Sequence, residues 1–146
     1  MKPALLLDRD GVINIDTGYV SRAVDIQFRK GIFDIMRGFK MLGHLLVVVT
    51  NQSGIGRGLF TEQEFRDVTA YMVGYCAGKG AQIDRVYHCP HAPDDECQCR
   101  KPLPGMILQA ARELDIDLER STLIGDKQTD IDAGRAAGVG HLILWR

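Results

Sequence analysis

The sequence predicts an α/β fold: a Rossmann-like, doubly wound parallel sheet forming one domain over residues 1–146. Three observations predict it. Short apolar runs alternate with helix-spaced apolar residues from end to end, the pattern of parallel strands joined by helical crossovers. The first run, Ala4 to Leu7, is apolar throughout, as in a strand covered on both faces. Acidic, amide and hydroxyl residues stand directly after three of the runs, where open α/β sheets bind their ligands.

Ala4 to Leu7 is the first strand. Ile32, Ile35, Met36, Phe39 and Leu42 then recur at helical spacing, and Gly43 follows as a stop. The β-branched run Leu45 to Val49 is the second strand. Thr61 and Glu64 make a Thr-x-x-Glu capping box, after which Phe65, Val68, Met72 and Cys76 line one helical face. Ile83 to Tyr87 reads as a third strand, and Pro104 to Leu114 as a helix with proline near its start. Thr122 to Ile124 is the fourth strand, Asp130 to Ala137 a short helix ended by Gly138, and His141 to Trp145 the fifth strand. Only about twenty residues separate Asp10 from the first helix, too few for a separate cap domain. Any selectivity must then come from loops.

Composition narrows the function classes. The hydrophobic fraction of 45% and charged fraction of 25% suit a soluble globular chain. A formal charge of -1, from 18 basic and 19 acidic residues, gives no electrostatic case for nucleic acid or a membrane surface as partner. No run approaches the ~20 apolar residues of a membrane span. The opening MKPALLLDRDG is broken by charge too early for a secretory signal. A cytoplasmic monomer acting on a small molecule is the expectation. In a reducing compartment, cysteines serve more often as ligands or core thiols than as disulfides.

The chemistry gathers at strand ends. The first strand runs into Asp8-Arg9-Asp10-Gly11. Residues two apart in an extended chain share a side, so Asp8 and Asp10 are expected to project together, with Arg9 opposite. Gly11 permits a sharp turn. Two neighbouring carboxylates repel, which calls for a divalent cation or a retained proton. Magnesium takes oxygen ligands and works with substrate phosphate. The second strand ends in Thr50-Asn51-Gln52-Ser53-Gly54, a set of hydroxyl, amide and backbone N–H donors suited to an anion. The fourth ends in Gly125-Asp126-Lys127, with Asp130 four residues beyond Asp126, and Arg100-Lys101 precede the 104–114 helix.

A second cluster lies between the third strand and that helix. Cys89-x-His91 and Cys97-x-Cys99 supply three thiolates and an imidazole, a full tetrahedral set for structural zinc. The intervening Ala92-Pro93-Asp94-Asp95-Glu96 cannot form a core, so a metal would order this loop, 88–101, and deliver Arg100 and Lys101. His88 is a rival ligand, a disulfide is the rival chemistry, and Cys76 reads as a core thiol.

DRDGV, TNQSG, RKP and GDKQTD resemble the four motifs of the haloacid dehalogenase superfamily across nearly the whole chain. More closely, DRDGVINID, GYV, VVVTNQSGIGRGLFTEQEF, CPH, CQCRKPLPGM and GDKQTD resemble the D-glycero-D-manno-heptose-1,7-bisphosphate 7-phosphatase family, and histidinol-phosphate phosphatases share the CPH and C-x-CRKP elements. The resemblance implies a haloacid dehalogenase fold and a phosphatase working through an aspartyl phosphate on Asp8, with Asp10 as acid and base. It implies that Thr50 and Lys101 steady the phosphoryl oxygens. It assigns Mg²⁺ to Asp8, the Asp10 backbone carbonyl and Asp126, with Lys127 as a further contact through its backbone. It makes His91 the imidazole ligand to zinc. It points to Asp16, Thr17, Gly18 and Tyr19 for sugar contacts, to Asn51, Gln52 and Ser53 near the phosphoryl group, and to Arg100 for the far end of the substrate. Asp130 is expected to orient Lys127 or a metal-bound water, and the Lys127 side chain to pair with Asp8.

Three alternatives stay open on sequence alone. TNQSGIGRG and KPLPGM favour a heptose bisphosphate substrate, whereas the short span between the two Cys pairs favours histidinol phosphate. Gly54-x-Gly56-x-Gly58 follows a strand and precedes a helix, but lacks dinucleotide-binding spacing. Acidic pairs with a distant lysine also occur in noncatalytic phospho-acceptor domains.

Overall fold

A computed structural model describes residues 1–146. Five strands run parallel: β1 (Ala4–Leu7), β2 (Leu45–Asn51), β3 (Arg85–Cys89), β4 (Thr122–Gly125) and β5 (His141–Leu144). Their order across the sheet is β3-β2-β1-β4-β5, every neighbouring pair parallel. The chain moves outward from β1 to β2 and β3, then returns to the other side of β1 as β4. That reversal creates a crevice beyond the carboxyl ends of β1 and β4.

Five helical segments complete the fold: α1 (Ile32–Met41), α2 (Ser53–Gly56), α3 (Glu62–Gly78), α4 (Gly105–Leu114) and α5 (Gln128–Ala137). Alternation along each strand splits the core in two. Ala4, Leu6, Val47, Val49 and Leu123 face Met106, Ile107 and Ala110 of α4 and Ile131 of α5. Leu5, Leu7, Leu46, Val48 and Ile124 face Ile32 and Met36 of α1 and Met72 and Cys76 of α3. Leu5, Leu6 and Leu7 are fully buried, each worth ~1.5–3 kcal/mol in transfer terms. That double burial explains why β1 lacks polar alternation.

The Thr61–Glu64 capping box opens α3 as expected, with each residue's side chain bonded to the other's backbone N–H. Several boundaries differ from expectation, and β2 runs two residues further, to Asn51. β3 begins two residues later, because Asp84 turns its carboxylate onto the Leu46 N–H (2.8 Å) and the ladder starts at Val47–Arg85. It runs on to Cys89, opposite Asn51. α5 begins at Gln128, two residues early, because the Asp130 carboxylate accepts the backbone N–H groups of Asp126 and Lys127 and caps the turn. Residues 11–31 hold only a 3-10 turn, Ala23–Asp25, so no cap domain covers the crevice. No helix is long and apolar enough to cross a membrane.

Candidate active site

β1 delivers Asp8 to the crevice and β4 delivers Asp126, from neighbouring strands paired Leu7 to Ile124. One carboxylate oxygen from each of Asp8, Asp126 and Asp130 lies within 4.8 Å of the others. Gly11 makes this approach possible. It holds φ +94°, and a Cβ there would stand 2.0 Å from Asp126 Oδ2.

Lys101 stands among these acids, 97% buried in its side chain. Its Nζ lies 2.5 Å from Asp130 Oδ1 and 3.3 Å from Asp8 Oδ1, and donates to the Val49 carbonyl at 3.0 Å. Burial alone would lower its pKa, but the charges of Asp8 and Asp130 outweigh it and hold the ammonium above the usual lysine range. Asp130 is fully engaged, with Oδ1 on Lys101 and Oδ2 on two backbone N–H groups. It therefore orients Lys101 and the 126–127 backbone. The Lys127 side chain does not pair with Asp8. It is exposed and reaches Asp16 at 3.7 Å, while Lys101 holds the place beside Asp8.

Arg9 also departs from expectation. Instead of pointing opposite Asp10, its buried guanidinium curls round to grip that carboxylate, Nε at 3.1 Å and Nη2 at 2.9 Å from Oδ1. The chain bends at Asp8–Asp10 rather than continuing as strand, so the two-residue periodicity fails there. Asn14 Nδ2 reaches Asp10 Oδ1 and Gln52 Nε2 reaches Asp10 Oδ2, each at 3.0 Å. Gln52 also donates to Thr50 Oγ1 at 2.9 Å.

Four carboxylates (Asp8, Asp10, Asp126, Asp130) thus surround two buried cations, Arg9 and Lys101. Burial first, and the surplus of negative charge after it, show in the pKa values. Burial pushes Asp8 up to about 7, with Lys101 opposing and Asp130, Asp10 and Asp126 reinforcing the shift. Burial and the Asp130 charge also raise Asp126. Asp126 Oδ1 is buried without any hydrogen-bond partner, which costs ~1–3 kcal/mol unless something meets it. A hard divalent cation between Asp8 and Asp126 fits the donor type, the surplus charge and the orphaned oxygen.

The cleft above measures about 480 Å³. Of its fifteen lining residues only Tyr19 is hydrophobic, so it suits a charged, hydroxyl-rich ligand. Asp8, Asp10, Asp16, Gly18, Tyr19, Asn51, Gln52, Ser53, Arg100, Lys101 and Lys127 all line it. Thr17 does not; it is exposed beyond the rim. Thr50 is buried and lies outside the lining, joined to it through Gln52. Gly54 and Asp130 also line it, and Arg57 and Thr129 are lining residues that were not foreseen. Arg57 lies just past the four-residue helix α2, too short to leave a periodic signal.

Beside the cleft, Cys89, His91, Cys97 and Cys99 place one ligand atom each within 4.8 Å of the others. His91 Nδ1 lies 3.3 Å from Cys89 Sγ and 3.2 Å from Cys99 Sγ, and Cys89 and Cys97 Sγ are 3.8 Å apart. Cys99 Sγ lies 2.7 Å from Cys89 Sγ, closer than the ~3.8 Å edge that zinc–sulfur bonds of ~2.3 Å imply, so it is the type and clustering of the four donors that fit zinc. All four cysteines are free, and Cys76 is buried in the core. His88 is no ligand. Its Nε2 lies 2.7 Å from Glu62 Oε1 and its ring stacks on Phe65. The loop is fastened to its neighbours: Asn51 Oδ1 accepts the Lys101 N–H at 3.0 Å, and Gly56 donates to the Pro90 carbonyl at 2.8 Å. A Cβ on Gly56 would come within 2.6 Å of Ala92 N.

Comparison with known proteins decides the family. The HAD-hydrolase-like family model matches residues 98–144. D-glycero-beta-D-manno-heptose-1,7-bisphosphate 7-phosphatase of Yersinia pestis is 48% identical over 151 residues, covering 99% of this chain and 80% of that protein. The chain belongs to this phosphatase family. Its Helicobacter pylori J99 member is 50% identical over 142 residues, covering 97% of this chain and 82% of that one. A solved member, D,D-heptose 1,7-bisphosphate phosphatase of B. bronchiseptica complexed with magnesium and phosphate, superposes with a TM-score of 0.87 at 36% identity, covering 93% of this chain and 76% of that chain. Family membership makes the chain a haloacid dehalogenase-like phosphoric monoester hydrolase and removes the dinucleotide and noncatalytic readings.

Proposed function

We propose that this chain removes the 7-phosphate of D-glycero-D-manno-heptose 1,7-bisphosphate through an aspartyl phosphate on Asp8. The observation that carries the reading is the meeting of Asp8, Asp126 and Lys101 at the β1–β4 crevice, under a polar cleft. The activity of the relatives supports the substrate.

Asp8 attacks phosphorus, and Asp10 protonates the leaving sugar oxygen and then takes a proton from water. Lys101 steadies the phosphoryl oxygens, with Asn51, Gln52 and Ser53 beside it, and Thr50, buried outside the lining, acts on those oxygens through Gln52. Arg100 has a buried Nη1 without a partner and meets the far phosphate, while Asp16, Gly18 and Tyr19 hold the sugar. Thr17 sits at the edge of that loop. Asp8, Asp126 and the Asp10 carbonyl, beside the Lys127 backbone, would hold Mg²⁺, which would supply positive charge between nucleophile and phosphate. Cys89, His91, Cys97 and Cys99 would hold zinc, which would fix the loop, 88–101, that presents Arg100 and Lys101 within one phosphatase domain.

The test is phosphate release from heptose 1,7-bisphosphate, heptose 1-phosphate and histidinol phosphate, with Mg²⁺ and with chelator. The reading requires Mg²⁺-dependent loss of one phosphate from the bisphosphate and little from the other two. Preference for histidinol phosphate would overturn the substrate.

A further inference from the structure

We propose that Arg9 and Asn14 are positioning residues for the acid/base carboxylate: together they hold Asp10 by Oδ1, so that its proton is carried on Oδ2. The inference rests on the reading of Asp10 as the group that protonates the leaving oxygen.

The donor count carries it. Asp10 Oδ1 receives Arg9 Nε at 3.1 Å, Arg9 Nη2 at 2.9 Å and Asn14 Nδ2 at 3.0 Å. Arg9 Nη2 has two hydrogens, one on the Val20 carbonyl and one shared between Oδ1 and Oδ2, so Arg9 Nε and Asn14 Nδ2 already take both Oδ1 lone pairs and leave no place there for a proton. Oδ2 receives Arg9 Nη2 at 2.9 Å and Gln52 Nε2 at 3.0 Å. Of all these donors, only Gln52 belongs to a residue lining the cleft. Its amide keeps Thr50 Oγ1 as a partner when it yields Oδ2 to a proton and a substrate oxygen. The two oxygens are therefore unequal: one is fixed from the protein side, and one is available from the cleft.

A packing role explains the pair poorly. Arg9 is 1% exposed with Nη1 unpartnered, and Asn14 is fully buried with Oδ1 unpartnered. Each leaves a polar atom orphaned in the interior, where apolar side chains would leave none. Their remaining bonds fix the pair itself. Arg9 Nη2 donates to the Val20 carbonyl at 2.9 Å, and Asn14 Nδ2 to the Ile15 carbonyl at 3.1 Å. The Arg9 guanidinium also lies 5.9 Å from the Phe65 ring centre on α3. The Asp10 oxygens are what these anchored donors serve.

In the step concerned, an Asp8 oxygen bonds to phosphorus as the bond from phosphorus to the sugar oxygen breaks. The proton on Asp10 Oδ2 passes to that oxygen, leaving Asp10 as a carboxylate. A sugar alkoxide needs this proton; a 4-nitrophenolate leaves without it. The constant kcat/KM ends at departure of the leaving group, so later hydrolysis of the acyl phosphate does not enter it.

The experiment compares kcat/KM of the wild-type protein, Arg9→Lys and Asn14→Ala on heptose 1,7-bisphosphate and on 4-nitrophenyl phosphate at saturating Mg²⁺. The expected loss on the sugar substrate is ~100-fold for Arg9→Lys and ~10-fold for Asn14→Ala, against less than ~3-fold on the nitrophenyl ester. Equal losses on both substrates, or no loss on the sugar phosphate, would overturn the proposal. If Arg9→Lys loses its cooperative melting transition, Asn14→Ala decides by the same pattern. A wild-type protein inactive on every sugar phosphate would instead overturn the functional reading beneath it.

Discussion

Two clusters of ligating side chains flank one cleft and are held in opposite ways. The carboxylates sit on the tips of β1 and β4, the central pair of a sheet buried on both faces, and buried cations brace them. Of the thiols, Cys89 ends β3, while Cys97 and Cys99, with His91, sit in the stretch between β3 and α4 that has no helix or strand and whose residues Pro93–Glu96 are exposed. The first cluster is positioned by the fold and stores electrostatic stress. The second is tied to the sheet through Cys89 and would depend for the rest of its order on the zinc proposed for it. Removing the metal should therefore do different things at the two places.

The largest expected effects break the first cluster's chemistry without its frame. Asp8→Asn should reduce phosphate release below ~10⁻³ of wild type while leaving one equivalent of zinc bound. Activity above that level would remove Asp8 from its role. Lys101→Met should cost ~3–5 kcal/mol in denaturant unfolding, because it strands Asp130 and Asp8 in the interior. A melting curve matching wild type would show that the pair is not braced as described.

The second cluster should fail in the reverse order. Cys99→Ser should lose its zinc on metal analysis and become protease-sensitive within 90–104. Its KM should rise ~10-fold or more as Arg100 and Lys101 lose their platform. Bound zinc at the wild-type level would break the contrast between the two sites.

A smaller effect sharpens the idea of stored stress. Asp8 has its folded pKa raised to about 7 from 3.8, so the folded state holds its proton more tightly than the unfolded chain. That stabilising contribution is complete below about pH 4 and is lost as pH rises through about 7, an effect of at most ~4 kcal/mol. In chelator, Asp8→Asn should become more stable relative to wild type as pH rises across that window, and added Mg²⁺ should narrow the gap. A pH-independent difference would contradict it. Smallest of all, Thr17→Ala should change kcat/KM less than ~2-fold, as its side chain lies outside the cleft lining.

Much of this was legible in the sequence because it follows from chain direction and burial. The apolar runs fixed the strand order of appearance, and Asp8, Asn51 to Ser53 and Asp126 fall at strand tips by arithmetic alone. The Cys-x-His and Cys-x-Cys pairs were legible because ligand type and spacing carry their own geometry. What escaped is what depends on side-chain reach across space. Arg9 was assigned the opposite side from Asp10 by strand periodicity, but the chain turns there and a long side chain can curl back. Lys127 was assigned to Asp8, yet Lys101 already occupies that place from a segment twenty-six residues earlier. Asn14 gave no signal, since a lone buried asparagine has no pattern of its own.

The most direct test of the central claim is to trap the intermediate. Asp10→Asn supplied with 4-nitrophenyl phosphate and Mg²⁺ should form the acyl phosphate but hydrolyse it slowly. Acid quench, borohydride reduction and peptide mass spectrometry should then find homoserine at position 8. Phosphate release continuing with Asp8 unmodified throughout would contradict the account.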